Sequence, residues 1–74
     1  MKFRALLIPD SGDSIVTRSW PNAMDCRSHA RAEAKLHFRR VSAVTTIEIV
    51  ILEGPDPIEH FLEKRRTPCK CIWT

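Results

Sequence analysis

Over Lys2–Ile8 the chain alternates: Phe3, Ala5 and Leu7 point one way, while Arg4, Leu6 and Ile8 point the other. That pattern predicts a strand with one wholly apolar face and a second mostly apolar one. Pro9-Asp10-Ser11-Gly12-Asp13 has turn chemistry, and the β-branched stretch Ser14–Trp20 reads as a second strand folding back on the first. Pro21 stops it. From Asn22 to Arg40 the spacing predicts the main helix, with Asn22 or Asp25 as its cap and strong helix formers from Ala30 to Leu36. Residues 30–38 also alternate as a strand would, but Ala, Glu and Lys are poor strand residues, so the helix is preferred. Ala23, Cys26, Ala30, Ala34, His37, Phe38 and Val41 share one helical face, and its small alanines suit a close approach to a sheet.

Ala43–Leu52 is the strongest signal, apolar on both faces except at Glu48, as in a central strand. Gly54-Pro55 ends it. Asp56-Pro57-Ile58-Glu59 then looks like a helix start, with a capping Asp and Pro at the first helical position. On that reading Ile58, Phe61 and Leu62 form a buried stripe, and Lys64, Arg65 and Arg66 sit at the helix end where the dipole favours cations. The segment 56–66 is short enough to reduce to a turn. Cys69-Lys70-Cys71-Ile72-Trp73 alternates again and reads as a closing edge strand. The expected order is β-β-α-β-(α)-β: a small α+β antiparallel sheet with one main helix, its helices on one face.

Seventy-four residues hold one domain, 1–74, and the apolar share of 43% with 28% charged is globular composition. No apolar run approaches the roughly 18 residues of a spanning helix, so no membrane is expected. The opening stretch to Ile8 is too short for a signal peptide. Three cysteines cannot all pair within one chain, which suggests free thiols in a reducing, cytoplasmic compartment and a monomer or weak homodimer without disulfides.

Twelve Lys and Arg stand against nine Asp and Glu. Arg27, Arg31, Lys35 and Arg39 recur every fourth residue, so they rise along one side of the main helix. Like charges at that spacing repel by roughly 0.2–0.5 kcal/mol per pair. A row of cations held at a cost suits an anionic partner, either a nucleic-acid backbone or an acidic protein groove. A solvated face, its long stems covering the core edge, is the plainer alternative. Lys64, Arg65, Arg66 and Lys70 form a second cluster, and Trp73 is either a core plug or an interface anchor.

Chemistry beyond binding is poorly represented. Cys26, His29, Cys69 and Cys71 supply possible zinc ligands, but Cys-x-Cys is not the usual knuckle spacing, so no metal is expected. His29, His37 and His60 accompany no nucleophile elbow, phosphate loop or carboxylate pair. A chain this short is also expected to be too small to enclose a pocket of several hundred Å³ and keep a core. Neither catalysis nor a cofactor is expected.

The extended start Met1-Lys2-Phe3-Arg4-Ala5-Leu6, the helix Ser28-His29-Ala30-Arg31-Ala32-Glu33-Ala34-Lys35, the strand Thr46-Ile47-Glu48-Ile49 and the close Lys70-Cys71-Ile72-Trp73 together resemble small phage-encoded inhibitors, including anti-CRISPR proteins. The resemblance implies steric inhibition: a compact domain covering part of a host defence protein or ribonucleoprotein complex, with possible contact to nucleic acid. A basic nucleic-acid-binding or regulatory module is the alternative.

Overall fold

The computed structural model describes residues 2–65. Five elements follow in order: β1 (Phe3–Pro9), β2 (Ile15–Val16), α1 (Ala23–Arg40), β3 (Thr46–Glu53) and β4 (Asp56–Lys64). They form an α+β domain in which a four-stranded antiparallel sheet, ordered β2-β1-β3-β4, carries the helix on one face.

The alternation read from the sequence sets this layering. Ala5 and Leu7 of β1 and Ile47, Ile49 and Ile51 of β3 are fully buried, and against them lie Cys26, Ala30, Ala34 and Phe38 of α1. Small side chains at Cys26, Ala30 and Ala34 let the helix backbone approach the sheet, while Phe38 and Val44 fill its far end. His37 and Val41, expected on the same stripe, lie at its margin; Val41 is exposed. Asn22 caps α1: its Oδ1 accepts from the Asp25 backbone N–H at 2.8 Å. The opposite face of the sheet has no covering element among the described residues, and Leu6, Ile8, Val50 and Leu52 are half-buried there.

Two expectations fail, each for a physical reason. The helix expected over 56–66 does not form in its described part; Asp56–Lys64 is a strand pairing with β3 from Glu53↔Asp56 to Thr46↔Lys64. Gly54-Pro55 is a two-residue hairpin loop rather than an end point, and Gly54 supplies its positive φ of 59°. Ile58, Phe61 and Leu62 therefore do not share a buried stripe. Phe61 packs on the core from the helix side, whereas Ile58 and Leu62 are exposed at 43% and 53%. Asp-Pro and an early Glu satisfy helix-start chemistry and strand-start chemistry alike. What decides is that β3 would otherwise leave a full edge of backbone groups unpaired. The expected closing strand at 69–73, with Trp73 and Arg66, lies outside the described residues.

The second strand is also shorter than its sequence suggests. Only Ile15 and Val16 pair with β1, and the chain then bows out before Trp20 rejoins it through a two-way bridge to Phe3. Within the bow, Thr17 Oγ1 takes the Ala5 backbone N–H at 3.0 Å. Between Leu6↔Val16 and Phe3↔Trp20 the register slips by one residue. A one-residue slip exchanges faces, so Trp20 turns toward the helix instead of away from it.

Candidate functional site

The basic stripe stands on α1 as expected, on the flank facing β4, but its four members divide into two pairs. Arg27 is bound in a fork: its Nε donates to Glu59 Oε1 at 2.8 Å and its Nη2 to Oε2 at 2.6 Å. One helical turn on, Arg31 Nε donates to Glu63 Oε2 at 3.0 Å. Glu59 and Glu63 point to the helix because β4 alternates, and their spacing of four residues repeats that of the arginines. The fork pulls the Glu59 pKa below its ordinary value, chiefly through the hydrogen bonds from Arg27, and the same pairing raises that of Arg27. Half of the stripe is therefore internal: it fastens the helix to the edge strand.

Lys35 and Arg39 make no ion pair among the described residues. With Phe38 they form one wall of an open groove of about 400 Å³, and Glu63, Lys64 and Arg65 form the other. Among the described residues, four cations thus line a space that contains one carboxylate, itself already bound to Arg31. Arg65 plays a structural part within it. Its Nε and Nη2 donate to the carbonyls of Val44 and Val41, each at 2.8 Å, and its guanidinium lies over the Phe38 ring at 5.2 Å. The groove charges held by no ion pair or side-chain hydrogen bond among the described residues are Lys35, Arg39 and Lys64. Arg66 and Lys70, the remaining members of the second cluster, lie outside the described residues.

The expectation that a chain so short encloses no pocket of this size does not bear on this cleft, which is open. It exists because it is an open trough between helix and strand, and so costs the core nothing. A second open cleft, on the opposite flank of α1, is bordered by β2 and Trp20.

The metal-ligand set does not assemble. Cys26 is a free thiol wholly inside the core, and burial pushes its pKa up, while His29 stands exposed on the helix flank against Trp20. Among the described residues no three His, Cys, Asp or Glu side chains converge as metal ligands. Cys69 and Cys71 lie outside them. His37 is half-buried at the helix end, and His60 is exposed on the uncovered sheet face, in contact with Glu48. Glu59 and Glu63 were not foreseen as site residues. Their matching four-residue spacing was visible in the chain, but a helical reading of 56–66 hid what it matched.

No family model matches the chain, and neither a curated protein nor a solved structure matches it. No described helix is long and apolar enough to cross a membrane.

Proposed function

We propose that this protein is a small, non-enzymatic binding domain that covers an anionic surface of a macromolecular partner with the groove between α1 and β4. The supporting observation is the division of the stripe: Arg27 and Arg31 are neutralised within the fold, while Lys35, Arg39 and Lys64 face an open trough. Cations gathered without counter-charges repel one another, and a phosphate or carboxylate row relieves that repulsion. Steric inhibition of a host complex, as the resemblance to anti-CRISPR-type inhibitors implies, is the activity this surface would serve. The reading needs no cofactor and a monomer or weak homodimer suffices.

The test is charge reversal of Lys35 and Arg39 to Glu, with capture of partners from a host lysate and circular dichroism as the check on folding. A folded variant that loses its partner supports the proposal. Unchanged binding would reduce the trough to a solvated face. Binding of bare duplex by the wild-type protein, falling steeply with salt, would instead make it a nucleic-acid module.

A further inference from the structure

The cleft on the other flank of α1 has about 470 Å³ of space, within the range of small-ligand sites, and is bordered by Ile15, Val16, Arg18, Trp20, His29 and Glu33. It is built by the slip in β2. Because Trp20 turns to the helix side, its indole stacks on the His29 imidazole, ring centroids 3.9 Å apart and planes within 7°. Arg18 lies over the same indole at 4.2 Å. Two groups this near one centroid cannot share a face without overlapping, so the indole is held between imidazole and guanidinium. Arg18 is exposed, and neither it nor His29 has a carboxylate partner among the described residues.

Two features set this stack apart from ordinary packing. Trp20 Nε1 is sealed from solvent yet has no hydrogen-bond partner among the described residues. A buried indole N–H usually finds one. Stacking and packing against the core therefore set the ring's position, and among the described residues no hydrogen bond anchors its polar edge. Second, the wall combines a flat aromatic shelf, a strong anion donor in Arg18 and an acceptor in Glu33, beside the apolar Ile15 and Val16.

We infer that this cleft binds a nucleotide, the base stacking on Trp20 in the place Arg18 now covers. A guest ring of that kind displaces the guanidinium outward, where it meets the anionic substituent in a charge-assisted hydrogen bond. Glu33 can accept from a ring amine, a contact a purely hydrophobic guest would leave unmade. Every base has a π-face, so the shelf itself does not select among bases. The source of the nucleotide is either a free mononucleotide or an unpaired position in a single strand. The inference is independent of the trough on the β4 flank, which shares no lining residue with this cleft.

The indole N–H is its own reporter. In a proton–nitrogen correlation spectrum of the full chain, Trp73→Phe assigns the Trp20 signal by removing the other one. Adenosine monophosphate should move the Trp20 signal saturably, and ribose 5-phosphate at the same concentration should not. Arg18→Ala, at an exposed position, should weaken the mononucleotide about tenfold, the loss of one charge-assisted contact, yet leave adenosine as tight or tighter. A short oligoadenylate that binds far more tightly than the monomer identifies a strand as the source; equal affinity identifies the free nucleotide. Lys35→Glu with Arg39→Glu should retain the shift whether or not the trough binds its partner. A Trp20 signal unmoved at millimolar nucleotide overturns the inference. So does an equal response to ribose 5-phosphate, or an equal loss for nucleotide and adenosine in the Arg18 variant.

Discussion

The Glu59 carboxylate accepts both arms of the Arg27 guanidinium, and this contact from helix to edge strand keeps the carboxylate charged at acidities where a free one would take up a proton. Asp10 behaves alike. The Thr45 hydroxyl donates to its Oδ2 at 2.5 Å and the Thr45 backbone N–H to its Oδ1 at 3.0 Å, which lowers its pKa. Both folded values lie below the ordinary 4.5 and 3.8, so each group stabilises the fold above its unfolded pKa. The contribution drains away as pH falls through the folded values. Thermal melts should therefore be level from neutrality to about pH 5 and decline below about pH 4.5. Glu59→Gln should flatten part of that decline; an unchanged acid profile would remove Glu59 from the account.

The divided stripe predicts a contrast between two charge reversals. Arg27→Glu with Arg31→Glu places four carboxylates where two ion pairs stood and should lower the melting temperature clearly. Lys35→Glu with Arg39→Glu turns the Arg31–Lys35 repulsion into an attraction but leaves one like-charge pair, at positions 35 and 39, and should leave it nearly level. Equal melting temperatures for the two variants would show that the ion pairs to β4 contribute nothing to the fold.

Helix and sheet approach closely because the contact residues are small. Ala34→Leu adds volume where α1 meets β1 and β3, and overpacking there should cost about 1–3 kcal/mol in denaturant titration. Ile49→Ala in the same layer should cost about 2–5 kcal/mol through a cavity. A neutral Ala34→Leu would mean that the layers are looser than their complete burial indicates.

At Gly54 an added Cβ meets no atom within 4 Å, so Gly54→Ala isolates the backbone term. With φ at 59°, the substitution should destabilise by about 1–2 kcal/mol without disturbing the core spectrum. Gly54→Asn, which tolerates the left-handed region, should recover much of it.

The fold was legible where periodicity and composition agree. In α1 the helix formers and the Asn22 cap outweigh the local alternation, and in β3 the β-branched run leaves no rival. Residues 56–64 alternate as clearly, with Glu59, Phe61 and Glu63 toward the helix, but the Ile58–Phe61–Leu62 spacing is equally helical. Nothing local decides between the two; the partner strand does. The same holds for the site. A spacing of four places Arg27, Arg31, Lys35 and Arg39 in line, but which of them are neutralised depends on the strand opposite. Trp20 was harder still, since its face follows from a slip carried by the Thr17 hydroxyl.

β1 lies at the middle of the sheet yet comes from the start of the chain, and Phe3–Pro9 pair with Ile47–Glu53 across the whole of α1. The hairpin β3–β4 and the helix can each form from neighbours in sequence, whereas the strand that unites them pairs across separations that run from Pro9↔Ile47 to Phe3↔Glu53. Assembly is thus ordered by chain distance. On a ribosome β1 emerges before β3, and until β3 is made the edge of β1 that will pair with it has no partner. The Trp20 cleft depends on that pairing, since Trp20 is tied to β1 through Phe3, whereas the trough is walled by α1 and the β4 end of the hairpin alone.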